Sequence, residues 1–171
     1  MKFIVQRMKD EDWNAVASIY QEGIATGNAT FETDVPAWEK WDKSHLRDCR
    51  LVAKAEDKVI GWVVLSPVST RSAYSGVAEV SLYVAGSTRG IGVGKALLFA
   101  LIDESERIGI WTLQAGIFPE NTASIGLARS CGFREVGRRE RIGQMDCIWR
   151  DVILMERRSN VVGIEKNGEL K

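Results

Sequence analysis

The chain has 171 residues, and its 23 Lys plus Arg equal its 23 Asp plus Glu, so its formal net charge is zero. This length predicts one domain with a sizeable core, and the balanced charge argues against a nucleic-acid binder, which needs a basic face. The apolar runs are short and broken by charges, so no membrane span is predicted, and residues 1–7 lack the apolar segment of a signal peptide.

Strands and helices alternate in the first half of the chain. Asp10 is placed to cap the first helix, and Gly27-Asn28-Ala29-Thr30 breaks it. Pro36 suits the first turn of a second helix, and Glu56-Asp57-Lys58 suits a hairpin turn. The predicted elements are a strand at 3–8, helices at 11–24 and from Pro36 to about residue 49, and strands near 50–56 and 58–67.

The second half of the chain continues this alternation and ends in a pair of strands. Gly132 stops the last helix in the manner of a C-terminal cap. The order of elements predicts a mixed α+β fold over 1–158, rather than a doubly wound parallel sheet, and a polar, frayed tail at 159–171. The predicted elements are a loop at 68–76, a strand at 77–84, a helix from Lys95 to Arg107, a strand at 111–117, a helix at 121–131, and strands near 133–140 and 145–157.

Cysteine and histidine usage limits the chemistry of the chain. Cys49, Cys131 and Cys147 are an odd number without the spacing of metal ligands, and there is a single His. These features predict reduced thiols in a cytoplasmic protein and no metal site.

The most informative segment is Arg89-Gly90-Ile91-Gly92-Val93-Gly94, which lies between a predicted strand and a predicted helix. Glycines allow a ligand to approach the backbone closely, and the free N–H groups of a first helical turn favour an anion. Arg89 adds a fixed positive charge, whereas Lys95 is either a further phosphate contact or a solvated side chain. The segment predicts a cofactor that carries a pyrophosphate.

Three phosphate-binding patterns can be compared with this segment. A Walker A loop requires Gly where this chain has Arg89, and a hydroxyl where it has Ala96. A dinucleotide fingerprint requires a third glycine where the chain has Lys95. The pattern Arg/Gln-x-x-Gly-x-Gly/Ala is met by Arg89, Gly92 and Gly94, and it resembles the acetyl-CoA loop of the GNAT superfamily of N-acetyltransferases.

A second motif supports this resemblance. Residues 121–133 are similar to the second GNAT motif, Asn-x-x-Ser/Ala ending in Gly-Phe. Residues 29–33, 71–84 and 149–152 are similar to the matching segments of phosphinothricin and methionine sulfoximine or sulfone acetyltransferases. The resemblance covers roughly 3–157. It implies the GNAT fold, with a mostly antiparallel sheet, a splayed parallel pair and about four helices, and acetyl-CoA as the cosubstrate.

The resemblance also implies roles for residues around the cofactor. The backbones of Leu82, Tyr83 and Val84 would bind the pantetheine and stabilise the oxyanion. Asn121 would contact the pantetheine or the reacting region, although Pro-Glu-Asn before a helix is equally typical of an N-cap. Ser124 would contact the cofactor, or it lies on an ordinary helix surface.

Glu79 is the candidate general base, because it is an acid within the apolar strand 77–84. A partly buried position facing the cleft would suit this role. A solvent-facing glutamate explains the sequence nearly as well, and the resemblance favours the base. Many GNAT enzymes have a tyrosine acid where this chain has Ala128. The thiolate therefore leaves unprotonated, or another donor such as Tyr83 or Tyr74 serves.

The substrate-binding candidates lie in two loops, where specificity usually resides. We predict transfer of an acetyl group from acetyl-CoA to the amine of a small amino-acid analogue, by direct attack in a ternary complex. The resemblance also implies a homodimer. The alternatives are a noncatalytic acetyl-CoA sensor and an acetyltransferase for a polyamine or a protein N-terminus. The substrate-binding candidates are Phe31, Glu32, Arg71, Ser72, Tyr74 and Ser75.

Overall fold

A computed structural model describes residues 1–164 of the chain. Its helices and strands lie close to the predicted positions. In chain order they are β1 (Ile4–Arg7), α1 (Trp13–Ala25), α2 (Trp38–Ser44), β2 (Leu51–Ala55), β3 (Lys58–Pro67), β4 (Val77–Val84), α3 (Val93–Arg107), β5 (Thr112–Ile117), α4 (Thr122–Ser130), β6 (Arg134–Met145) and β7 (Ile148–Arg158).

The seven strands form one sheet in the order β1-β2-β3-β4-β5-β7-β6. All neighbouring strands are antiparallel except β4 and β5, which are parallel. The predicted mixed α+β fold is therefore confirmed, including its mostly antiparallel sheet, its parallel pair and its four α-helices within residues 1–164.

The parallel pair is short and splays apart. Residues 77–79 of β4 pair with 112–114 of β5, whereas β4 stays paired with β3 up to Val84. The amide of Ala85 donates to the Ile60 carbonyl on the β3 side. Because N–H directions alternate along a strand, the amides of Leu82 and Val84 point away from β3 into the gap. The amide of Tyr83 points toward β3 instead. The cofactor contact expected of the Tyr83 backbone stays a prediction.

Helices cover both faces of the sheet, and each face has its own core. α3 and α4 pack on a cluster that includes Leu65, Leu97 and Met155. α1 and α2 pack on an aromatic cluster that includes Tyr20, Trp41 and Trp62. Burial of these side chains is the main force that holds the layers together. Within residues 1–164, none of the helices is long and apolar enough to cross a membrane.

Two helix ends differ from the prediction. α1 follows a 3₁₀ turn at Asp10–Asp12, so Asp10 does not cap it. The side chain of Asp12 is buried instead, where it accepts the Lys9 amide and pairs with Lys54 at 2.7 Å. α2 ends at Ser44 rather than near residue 49. The buried guanidinium of Arg50 explains this early end, because it donates to backbone carbonyls of the irregular segment that follows the helix.

The boundary predicted between 158 and 159 stays a prediction, but the start of the predicted tail is packed on the domain. Ser159 is buried, and its hydroxyl donates to Glu106 on α3 at 2.8 Å. The Ser159 amide also donates to the Trp111 carbonyl. Residues 165–171 of the predicted tail lie outside the described residues.

Candidate active site

The gap between β4 and β5 opens into a cavity of about 460 Å³. It passes between the two faces of the sheet, with Thr30 and Phe31 on one side and Leu98 and Leu127 on the other. Such a concave, partly apolar cavity is the usual setting of a small-molecule site. The predicted site residues that line it are Phe31, Glu79, Leu82, Tyr83, Asn121 and Ser124.

The glycine-rich turn lies beyond the far end of β4 and has the geometry of an anion site. Gly90 and Gly92 have φ values of 80° and 91°, in the left-handed region that favours glycine. Apart from the chain neighbours, no atom of the described residues lies within 4 Å of the position that a Cβ would take at either glycine. The first backbone bond of α3 runs from Ala96 to Gly92, so the amides of 93–95 have no acceptor among the described residues. These free donors fit a pyrophosphate at a helix N-terminus.

The charged residues of this turn are available to a ligand. Arg89 is exposed and forms no ion pair within residues 1–164. Lys95 is exposed too, and its ammonium lies 5.8 Å from the centre of the Phe99 ring. Gly94 is required for a different reason, because a Cβ there would lie 3.0 Å from Leu127 of α4. The absence of a side chain at Gly94 therefore lets α3 and α4 approach closely.

Glu79 lines the cavity at the point where β4 and β5 separate. Gln114 is the partner of Glu79 across the parallel pair. The side-chain amide nitrogen of Gln114, Nε2, donates to Oε2 of Glu79 at 3.0 Å. This bond fixes one carboxylate oxygen and leaves the other for a ligand or a water. Glu79 is exposed, however, so the partly buried position expected of the base is not found.

Asn121 serves the protein with both ends of its side chain. Its Oδ1 accepts the Ser124 amide at 3.2 Å, which is the N-cap bond of α4. Its Nδ2 donates to the Asn28 carbonyl at 3.2 Å. The N-cap interpretation of Asn121 is confirmed, and its cofactor contact stays a prediction.

The loop predicted to bind substrate does not reach the cavity within this chain. Ser72, Tyr74 and Ser75 are exposed and lie outside the cavity lining, as is Arg71, whose guanidinium stacks 5.5 Å from the Tyr74 ring centre. Glu32 is also exposed and outside the lining, whereas its neighbour Phe31 forms part of the wall.

Several lining residues were missed by the sequence reasoning. Gly116 leaves the floor open, since a Cβ there would lie 3.1 Å from Val152. Gly143 makes room for Phe31, whose ring would lie 2.6 Å from an added Cβ. Glycines within predicted strands are a signal of close approach that could have pointed to both positions. The missed residues include Thr30, Gly116, Phe118, Arg139, Ile142, Gly143 and Val152.

Arg150 of β7 fixes the wall that these residues build. Its guanidinium lies 4.1 Å from the centre of the Phe118 ring and donates to the Gly27 carbonyl and to Asn28 Oδ1, both at 3.1 Å. It also pairs with Glu120 at 3.3 Å. One mostly buried cation therefore joins β7, the loop after α1 and the turn before α4.

Tyr83 and Tyr20 form a pair of neutral phenols beside the cavity. Their ring centres are 4.8 Å apart, and burial raises the pKa of both hydroxyls. Tyr83 lines the cavity, whereas Tyr74, the other tyrosine considered as a proton donor, does not. Ala128, at the position where the resemblance implied a tyrosine, also lines the cavity.

The sequence model described as "Acetyltransferase (GNAT) family" matches residues 13–133, which is most of the chain. The chain belongs to the GNAT family. It is therefore an acetyl-CoA-dependent N-acetyltransferase by family. The glycine-rich turn, the splayed strands and the cavity are the parts of this GNAT domain that fit such a cosubstrate.

Relatives of this GNAT domain include enzymes that act on small amino-acid analogues. A phosphinothricin N-acetyltransferase of Alcaligenes faecalis is 35% identical over 168 residues, which cover 91% of this chain and 82% of the relative. An L-methionine sulfoximine/L-methionine sulfone acetyltransferase of Pseudomonas aeruginosa is 28% identical, with 85% of this chain and 88% of the relative covered.

Solved structures share the fold almost end to end. A GNAT superfamily phosphinothricin acetyltransferase from Sinorhizobium meliloti, in complex with AcCoA, has a TM-score of 0.86 and 28% identity over 99% of this chain and 95% of its own. A ribosomal-protein-alanine N-acetyltransferase from Brucella melitensis has a TM-score of 0.84 and 31% identity over 91% of this chain and 99% of its own. The named substrates of these neighbours differ, so the fold by itself does not decide the acceptor.

Proposed function

We propose that this GNAT enzyme acetylates the amino group of a small amino-acid analogue of the phosphinothricin, methionine sulfoximine or methionine sulfone type. The observation that carries the proposal is a cavity of about 460 Å³ that joins the splayed strands to Glu79. A cavity of this size matches a small acceptor. The phosphinothricin N-acetyltransferase relative, at 35% identity, supports the same substrate class.

In this proposal, acetyl-CoA supplies an activated acetyl thioester. The free amides of 93–95, with Arg89, bind its pyrophosphate at the N-terminus of α3. The amides of Leu82 and Val84 point into the gap and donate to the pantetheine or to the developing oxyanion. Ser124 lies on the cavity wall and contacts the cofactor from α4.

The acceptor amine attacks the thioester carbonyl directly while both molecules are bound. The substrate ammonium first gives one proton to Glu79, directly or through water, which leaves a neutral amine to attack. The C–N bond then forms, the C–S bond breaks, and the second proton lost by the nitrogen goes to water or to the departing thiolate. Gln114 orients the Glu79 carboxylate for this step. Position 128 has no tyrosine to protonate the CoA thiolate. Of the two other tyrosines considered as proton donors, Tyr83 lines the cavity and Tyr74 does not, so Tyr83 is the better candidate.

A protein N-terminus is the second candidate acceptor. The observation in its favour is the likeness to the ribosomal-protein-alanine N-acetyltransferase structure, at 31% identity. We favour the small analogue because residues 29–33, 71–84 and 149–152 resemble the phosphinothricin enzymes. A noncatalytic acetyl-CoA sensor and a polyamine enzyme are the remaining alternatives. We further propose a homodimer in the cytoplasm, in which residues 71–75 serve a site that includes the partner chain.

The test is a panel assay that detects the released CoA thiol. The panel contains phosphinothricin, methionine sulfoximine, methionine sulfone, a polyamine and an alanine-ended peptide, each with acetyl-CoA. The proposal expects the highest kcat/KM for one of the three amino-acid analogues. A higher value for the peptide or the polyamine would refute the substrate class, and no turnover of any acceptor would favour the sensor.

The role of Glu79 is tested with Glu79→Gln. General-base catalysis contributes roughly 10²–10⁴-fold, so kcat should fall by about that factor at neutral pH while the Kd for CoA stays the same. Gln114→Glu is a matched variant that keeps the size of the side chain but replaces the donor to Glu79 with a second carboxylate. Because Gln114 orients Glu79 in this proposal, kcat should fall in this variant too. If Glu79→Gln keeps a kcat and a pH profile close to those of the wild type, Glu79 is not the general base and is an ordinary exposed glutamate.

A further inference from the structure

Two charged side chains line the cavity among the described residues. The negatively charged one is Glu79 of β4, and the positively charged one is Arg139 of β6. All the other lining side chains are apolar or uncharged polar groups. The two charges are opposite in sign and belong to strands that are not neighbours in the sheet.

Arg139 shares the face of the sheet on which Glu79 lies. It pairs with Val152 of β7, and partners in a ladder point to the same face. Val152 shares that face with Glu156, which pairs with Gln114, the partner of Glu79 in the parallel pair. After Arg139 the register shifts by a bulge that ends at Gly143, and Arg141 within it has a positive φ of 47°. Bulges often re-aim side chains beside active sites. Here Arg139 and Gly143, at the two ends of the bulge, both reach the cavity.

The charge of Arg139 is available to a ligand. Two other arginines of β6 are neutralised, since Arg134 pairs with Glu156 at 2.8 Å and Arg138 with Asp151 at 2.5 Å. Arg139 has no ion pair within residues 1–164. A guanidinium without a carboxylate partner, on the wall of a cavity, is the group best suited to bind a carboxylate or a phosphinate.

The separation of the two charges limits the ligands that contact both. Three strand spacings lie between β4 and β6, which is about 14 Å across the sheet. Arg139 also lies four ladder positions beyond Arg134, the residue level with Glu79, which adds about 13 Å along the strands. Gly116 and Val152 line the cavity between the two charges. An acceptor that contacts both would therefore lie over these residues, with its amine toward Glu79 and its negatively charged group toward Arg139.

We infer that Arg139 determines acceptor specificity by binding the anionic group of the acceptor. The inference rests on the proposed function and deepens it, because it explains how a zwitterionic acceptor is oriented. Arg71, the arginine among the substrate-binding candidates from the sequence, lies outside the cavity lining in this chain, whereas Arg139 is part of it. The anionic group is a carboxylate or a phosphinate, and the choice of acceptors separates the two.

The experiment compares three acceptors on the wild type and on Arg139→Gln at saturating acetyl-CoA. Phosphinothricin carries a carboxylate and a phosphinate, methionine sulfone carries a carboxylate, and methionine sulfone amide carries neither. Arg139→Gln should lower kcat/KM at least tenfold for an anionic acceptor, mainly through KM, and leave the amide within twofold. Equal losses for phosphinothricin and methionine sulfone identify the carboxylate, and a loss confined to phosphinothricin identifies the phosphinate.

Two further variants control for charge and for fold. Arg139→Lys keeps the positive charge and should recover part of the loss. Arg141→Gln removes an exposed arginine of the same bulge that lies outside the lining, and it should leave all three acceptors unchanged. Equal losses on the charged and uncharged acceptors, or no loss on any of them, would overturn the inference. Absence of turnover by the wild type would instead refute the proposed function, so the two failures are distinguishable.

Discussion

Gly92 offers the sharpest test of the cofactor turn, through the substitution Gly92→Ala. Its φ of 91° places it in the left-handed region at the N-cap of α3. Apart from its chain neighbours, residues 1–164 place no atom within 4 Å of the added Cβ. The substitution therefore creates no clash within the protein, and it has two separate effects, on the backbone and on the ligand.

The magnitude of each effect follows from the geometry. A non-glycine residue in the left-handed region costs about 1–2 kcal/mol of folding free energy. For a chain of this size, 1 kcal/mol lowers Tm by about 2–4 °C. On the ligand side, the Cβ occupies the open side from which a pyrophosphate approaches the free amides. We expect the Kd for CoA to rise at least tenfold, which is about 1.4 kcal/mol.

The assay is calorimetric titration of CoA, with a thermal melt of each variant. Gly109→Ala is the matched control, because Gly109 has a φ of 85°, no atom within 4 Å of the Cβ position, and a place beyond the opposite end of α3. Both variants should lose similar stability, and Gly92→Ala alone should lose CoA affinity. Unchanged affinity in Gly92→Ala, or an equal loss in Gly109→Ala, would remove the turn from the pyrophosphate site.

Two further predictions concern the packing around the site. Arg150→Met should destabilise the fold by about 1.5–3 kcal/mol, because it removes charge-assisted bonds to the loop after α1. Urea unfolding measures this loss. The KM for the acceptor should rise as well, and an unchanged KM would contradict the role of Arg150 in the cavity wall. Burial lowers the pKa of His45 from its usual 6.5, so the folded chain binds a proton less readily than the unfolded one. The stability that depends on neutral His45 is present above pH 6.5 and lost as pH falls through the lower folded value. Between pH 7.5 and 5, the wild type should therefore lose unfolding free energy relative to His45→Gln. A constant difference between the two proteins would refute this.

The glycine-rich turn shows how much local sequence can determine. Glycines at 90 and 92 permit the positive φ values, and the helix that follows leaves its first amides free. These properties depend on neighbours in the chain, so the pattern Arg-x-x-Gly-x-Gly predicted the turn and the cofactor class. The Glu56-Asp57 turn, with positive φ at both residues, was predictable for the same reason.

The charged residues that line the cavity were harder to predict from the sequence. Glu79 was found because an acid in an apolar strand stands out, but its exposure depends on where β5 separates from β4. Arg139 gave no signal, because it is one of three arginines in the strand predicted near 133–140. Its selection over Arg134 and Arg138 depends on which carboxylates β7 places opposite each of them.

The sequence by itself therefore determined the family, the order of elements and the cofactor turn, since each of these depends on residues close together in the chain. The tertiary structure alone decided which loops meet at the cavity. Arg150, Asn28 and Phe118 are far apart in the sequence, and they come together because β7 inserts between β5 and β6. The loop at 71–75 resembles a substrate loop, yet it lies outside the cavity lining. Contacts across a sheet depend on strand order, register and bulges, and these are fixed only when distant segments pack together.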